Sequence, residues 1–185
     1  MPIILVVWFL AVCILGATGV ATRLQPPMPQ VVLLAITAIL IVAGRTNARL
    51  RAWLMSRDWR AIVALHLWRA VAAGGFFWAA SRGVLPARFA LPAAYGDLIV
   101  AIFAFALITL VPPTRPGARG AFLAWNVLGL VDILFVVVNA GRVAMADPDG
   151  MHALLQLPFI LLPLFLVPLV IATHLLLFVR LREPA

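Results

Sequence analysis

Five ionisable side chains lie in otherwise apolar stretches of the sequence: His66, Arg69, Asp97, Asp132 and His174. An ionised group in apolar surroundings is costly unless it is paired and hydrogen-bonded, so each of these residues requires a partner or a function. His66 and Arg69 are three residues apart and would share one face of a helix. Imidazole, guanidinium and carboxylate groups on facing helices can hold a proton, bind an anionic ligand or ligate a cofactor.

A second polar stripe surrounds Asp132. Gly129, Asp132 and Asn139 recur at steps of three and seven, which return to nearly the same angle around a helix. A pair between Arg69 and Asp132 is the cheapest way to keep either charge in apolar surroundings. Such a pair would either fix which helices pack together or form an anionic-ligand or proton site. The expected buried polar site comprises Asp97, Asn126, Asp132 and Asn139.

The composition indicates which elements carry these residues. The chain has 185 residues, 65% of them hydrophobic and 11% charged, whereas soluble domains have roughly 25% charged residues. Runs of about 20 mostly apolar residues can each cross a bilayer as a helix. We therefore predict an all-α membrane protein, a polytopic bundle of six transmembrane helices forming one domain over residues 1–185. The spans are expected at about residues 2–22, 29–44, 59–80, 92–111, 121–140 and 151–179.

The basic residues predict the orientation of this bundle. All 14 are arginine, and the formal net charge is +8. Five arginines lie in residues 45–60 beside a single acid, which marks this loop as cytoplasmic by the positive-inside rule. Alternating spans then place Arg115, Arg119 and the C-terminal arginines on the same side, so both termini are expected in the cytoplasm. Orientation in the membrane accounts for this charge without a nucleic-acid partner.

The two histidines predict a cofactor. His66 lies six residues after Arg60 and His174 lies six residues before Arg180, so both would lie roughly 9 Å inward from one boundary by the helical rise. Imidazole is an axial ligand of haem. We expect His66 and His174 to hold a b-type haem, with Arg69 supplying positive charge. The alternative for both rings is a hydrogen bond to Asn126, Asp132 or a backbone carbonyl. Asp97 and Asn139 are expected nearer the outer side.

The last span carries prolines at regular intervals. Pro158, Pro163 and Pro168 each remove a backbone donor and loosen the preceding turn. The helix is therefore expected to be kinked, and its freed carbonyls would line a cavity or bind a neighbouring helix. Elsewhere the sequence has no P-loop, dinucleotide turn or His-Glu-x-x-His helix. Cys13, the single cysteine, is expected to be an inert apolar residue.

Five segments together carry a resemblance: residues 65–69, 85–90, 96–97, 125–132 and 173–174. The chain resembles small uncharacterised bacterial membrane proteins that have these segments in this order. The resemblance implies a bacterial inner membrane and brings no activity.

Three functions are compatible with these patterns. The first is a membrane redox or cofactor-binding protein with haem b. The second is a small-solute or proton-coupled transporter in which the kinked last span moves. The third is a non-catalytic subunit of a membrane complex, whose partners besides the lipid bilayer would be another membrane protein or further copies of the chain.

Overall fold

The computed structural model describes residues 2–112 and 116–182, and every regular element in these ranges is helical. The all-helical class predicted from the sequence is confirmed for them. Short 3₁₀ helices cover Val20–Arg23 and Asp149–Leu155, and a π-helical turn covers Leu162–Leu166. The α-helices are α1 (Pro2–Ala17), α2 (Met28–Thr46), α3 (Ala48–Met55), α4 (Trp59–Leu65), α5 (Trp68–Ser81), α6 (Ala87–Leu110), α7 (Ala118–Ala146) and α8 (Val167–Arg180).

Five stretches are long and apolar enough to cross a membrane. The first predicted span is shorter than expected, because α1 ends at Ala17 and a 3₁₀ turn follows the left-handed Gly19. The helix at predicted span five, α7, extends further at both ends than the sequence predicts. An arginine ends an uncharged run of sequence, but it does not end the helix. The qualifying stretches are Met28–Thr46, Arg60–Ser81, Ala87–Leu110, Ala118–Ala146 and Leu162–Arg180.

The second of these stretches, Arg60–Ser81, is divided by a tight turn. The amide of His66 donates to the carbonyl of Val63, and the amide of Arg69 donates to the carbonyl of His66 at 3.1 Å. Hydrogen bonds that span three residues rather than four wind the chain more tightly. The turn joins α4 to α5, and both His66 and Arg69 face the interior, where they are 0% and 4% exposed.

Residues 151–179 do not form the single kinked helix that the sequence predicts. The chain runs as a 3₁₀ helix to Leu155, then through turns to the π-helical segment, and only from Val167 as a regular α-helix. Pro163 lies in the π segment and Pro168 lies in the first turn of α8. Each proline lacks the N–H that a regular α-helix would use, and together they interrupt the first half of the span.

The arginine-rich loop and two helix ends lie at the same end of the bundle. Arg180, in the last turn of α8, donates to the backbone carbonyl of Arg57 at 3.0 Å, and Arg60 donates to the carbonyl of Ile108 near the end of α6. The sequence predicts this arrangement, although the loop also contains the surface helix α3. Arg115, which was expected on the same side, lies outside the described residues.

Small side chains hold the central helices together. Helix α6 packs between α5 and α7, and its inward face consists largely of alanine. Alanine lets helix backbones approach closely, which favours direct polar contacts between helices. The buried alanines of α6 are Ala90, Ala93, Ala94, Ala101 and Ala104.

Candidate functional site: a buried ion cluster beside an apolar cavity

Arg69 joins α5 to α6 and α7 through a cluster of three charges. Its Nε donates to Oδ1 of Asp97 at 2.5 Å, and its Nη2 donates to Oδ2 of Asp132. Its Nη1 donates to the carbonyl of Gly129 at 3.2 Å. We call Arg69, Asp97 and Asp132 the ion cluster. The predicted pairing of Arg69 with Asp132 is present, and Asp97, which was expected nearer the outer side, binds the same guanidinium.

Two glycines make this close approach possible. A Cβ built on Gly96 would overlap the carboxylate of Asp132, so only glycine leaves room for that side chain between α6 and α7. A Cβ built on Gly129 would lie 2.8 Å from Nε2 of His174, which is tighter than ordinary carbon–nitrogen contact. Both glycines therefore serve to admit a polar side chain of a neighbouring helix.

The two buried histidines contact each other directly. The rings of His66 and His174 have centroids 4.2 Å apart, and Trp125 packs against both, at 5.1 and 5.5 Å. The prediction that the two histidines lie at one level is consistent with this contact. Nδ1 of His174 pairs with Oδ1 of Asn126 at 2.8 Å, and Nδ2 of Asn126 donates to the carbonyl of His174 at 3.0 Å. We call His66 and His174 the histidine pair.

Hydrogen bonds assign a tautomer to each ring. The hydroxyl of Thr173 donates to backbone carbonyls of its own helix, so its oxygen accepts from Nε2 of His66 at 3.3 Å. Because the amide of Asn126 donates to a carbonyl, its Oδ1 accepts from Nδ1 of His174. Nδ1 of His66 and Nε2 of His174 then remain as buried acceptors that have no hydrogen-bond partner among the described residues. Both rings are neutral in this arrangement, since a protonated ring would bury an unpaired N–H.

Asn139 does not join these groups, although it was predicted in the buried site. Its Nδ2 donates to the carbonyl of Arg88 at 3.2 Å. Pro92 lies inside α6, which begins five residues earlier than the predicted span, at Ala87. A proline in a helix leaves the carbonyl four residues before it without its usual donor. Asn139 supplies that donor, so its role is to complete the proline-containing helix.

An apolar cavity of about 580 Å³ lies beside the ion cluster. Its walls come from α1, α2, α4, α5, α6, α7, α8 and the interrupted segment before α8. Arg69 and Asp97 line this cavity, whereas neither Asp132 nor the histidine pair does. Exposed side chains at its edge mark where it opens on the side of the bundle, with Trp68 62% and Leu65 41% exposed. Further lining residues include Phe9, Leu33, Ala72, Phe76, Val136 and Phe165.

The residues present do not fit the expected haem. Axial imidazoles approach an iron edge-on from opposite faces, with the macrocycle between them. The rings of His66 and His174 touch at 4.2 Å and are both fully buried, so no layer of that kind lies between them. Arg69, expected to supply positive charge, is bound by two carboxylates. Among residues 2–112 and 116–182, no group of three or more His, Cys, Asp or Glu side chains is placed to hold a metal ion.

Sequence reasoning named Asn126 as a hydrogen-bond partner for the histidines, but it missed Thr173 and the extent of the cavity. Thr173, next to His174, was available as a signal, because a hydroxyl beside a buried imidazole can accept from a ring on another helix. Gly96 likewise precedes Asp97 directly. The extent of the cavity had no such signal, since most of its walls are ordinary apolar residues drawn from seven helices and the interrupted segment.

Fold and site together define a helical bundle in which an ion cluster ends an apolar cavity. The chain belongs to the DUF8737 family, described as a domain of unknown function, whose model matches residues 26–182. This agrees with the resemblance to an uncharacterised family. No curated protein and no solved structure matches the chain.

Proposed function

We propose that this chain is a multi-pass protein of the bacterial cytoplasmic membrane that binds and transports small hydrophobic solutes. The five apolar helices support the membrane location, with α1 as a sixth and shorter span. The clustering of the arginine-rich loop with the ends of α6 and α8 supports an orientation in which this end and both termini face the cytoplasm. The bacterial origin rests on the resemblance of the sequence.

The observation that carries the transport proposal is the contact between the cavity and the ion cluster. Ligand pockets are typically about 300–1,000 Å³, with mostly apolar walls and a few polar groups that orient the ligand. The cavity matches this description, since Arg69 and Asp97 are the charged groups in its lining. Its edge at Leu65 and Trp68 would face lipid, so a hydrophobic solute could enter from the bilayer.

The interrupted segment before α8 supports movement of a bound solute. Leu154, Leu162, Pro163 and Leu166 line the cavity and belong to its 3₁₀ and π-helical parts. Transporters often place discontinuous helices at their binding sites, because broken helices can bend without unfolding. This segment is therefore the element that would open or close the cavity toward the outer side.

The experiment uses N-phenyl-1-naphthylamine, a neutral hydrophobic probe, with the purified protein in detergent micelles and native mass spectrometry as the readout. Ala72→Trp fills the cavity from α5, whereas Val71→Trp places the same bulk on the neighbouring position, whose side chain is 63% exposed and outside the cavity. We expect the probe to bind the unmodified protein and Val71→Trp but not Ala72→Trp. Equal binding to both variants, or none to any form, would overturn the proposal.

A further inference from the structure

The ion cluster contains one more negative than positive charge. Asp97 and Asp132 share the single guanidinium of Arg69. Two titratable groups approach the cluster, His66 from the turn between α4 and α5 and His174 from α8, and both are neutral by their hydrogen bonds. With both carboxylates ionised, the buried site would carry a net charge of −1. Such a charge is costly in apolar surroundings and requires one further positive charge, either a proton or a bound cation.

The charge of the site disfavours an anion as its ligand. Each of the three guanidinium nitrogens of Arg69 already donates, two to carboxylates and one to the carbonyl of Gly129, which leaves one further N–H on each of Nη1 and Nη2. An anion entering the cavity would meet a guanidinium whose charge two carboxylates already balance, together with the carboxylate of Asp97. Since Asp97 lines the cavity and Asp132 does not, Asp97 is the carboxylate that a ligand can reach.

We infer that the cavity takes hydrophobic monovalent cations and that each bound cation replaces one proton of the ion cluster. This inference rests on the proposed transport function and names its substrate class. The exchange balances: the protonated carboxyl of the cluster releases its proton to water, and the carboxylate that remains pairs with the incoming cation. The charge in the cavity is the same before and after. The apolar walls bind the hydrophobic body of the ligand, and the carboxylate of Asp97 favours a positively charged ligand over a negatively charged one.

The test compares two probes of the same shape and opposite charge, tetraphenylphosphonium and tetraphenylborate, with the protein in lipid nanodiscs and calorimetry as the readout. We expect the phosphonium to bind in exchange for about one proton, so that its affinity rises about tenfold per pH unit while the carboxyl is protonated. Titrations in two buffers of different ionisation enthalpy count the released protons without any variant. Tetraphenylborate is expected to give the same signal as empty nanodiscs.

Two variants, with Val71→Trp as the matched control, separate this inference from the proposed function. Asp97→Asn should abolish the pH dependence of phosphonium binding, and Ala72→Trp should abolish binding while Val71→Trp retains it. If the neutral naphthylamine probe binds but the phosphonium does not, or binds without releasing a proton, the inference fails and the proposed function stands. If neither probe binds, the proposed function fails as well.

Discussion

Replacing Arg69 should cost far more stability than replacing either of its acidic partners. Arg69→Met leaves the buried carboxylate of Asp97 and the partly buried carboxylate of Asp132 without a counter-charge. Breaking a buried pair in this way costs about 3–5 kcal/mol. Asp97→Asn removes the excess charge, leaves Arg69 paired with Asp132, and retains an oxygen that can accept from Nε. We therefore expect Asp97→Asn to cost less than about 1.5 kcal/mol.

A triple variant extends this comparison. Arg69→Met combined with Asp97→Asn and Asp132→Asn has no charge left in the cluster. Because neutral replacement of a buried ion pair is often tolerated, it should recover at least about 2 kcal/mol relative to Arg69→Met alone. The measurement is unfolding by sodium dodecyl sulfate in dodecylmaltoside micelles, followed by far-ultraviolet circular dichroism. The charge account is refuted if Asp97→Asn is as destabilising as Arg69→Met, or if the triple variant is the least stable.

Three further outcomes are expected. Gly129→Ala should lower the free energy of unfolding by about 1–3 kcal/mol, because its Cβ would overlap the ring of His174, whereas the control Gly74→Ala, with no atom within 4 Å of its Cβ, should not. Asn139→Ala should lower the free energy of unfolding by about 1 kcal/mol. The loss should be smaller in a Pro92→Ala background, because the backbone amide of residue 92 then donates to the carbonyl of Arg88. Equal losses in the two backgrounds of this double-mutant cycle would contradict the role of Asn139. The purified protein should show no Soret absorption band, since the histidine pair does not fit a haem.

The sequence allowed much of the fold to be predicted, for a physical reason. Long uncharged runs, helix-breaking loops and the distribution of arginine depend on local composition, so the helices and the common end of the bundle followed from them. The interruptions of the helices were harder to predict from the sequence, because a proline inside an apolar run can bend a helix, interrupt it or be accommodated within it. Pro92 is tolerated because Asn139 on α7 supplies a donor, a contact that depends on tertiary packing.

The sequence predicted most residues of the candidate site, but it predicted their spatial arrangement less well. The free-energy cost of an unpaired charge in an apolar bundle predicted the pairing of Arg69 with Asp132. The depth estimate for the two histidines left open the angle at which their helices present them. That angle decides whether the rings hold a ligand between them or contact each other, as they do. Asp97 was placed too near the outer side because the predicted span began at Pro92, whereas α6 begins at Ala87, which puts Asp97 five residues further into the helix.

The central claim is that Asp97, at the end of the cavity, exchanges a proton for a hydrophobic cation. The most direct measurement is the uptake of radiolabelled tetraphenylphosphonium into acid-loaded proteoliposomes, with the membrane potential held at zero by potassium and valinomycin. The account predicts accumulation driven by the pH gradient in vesicles with the unmodified protein, and uptake by Asp97→Asn vesicles at the level of protein-free vesicles. Equal accumulation by the two proteins, or none above protein-free vesicles, would contradict it.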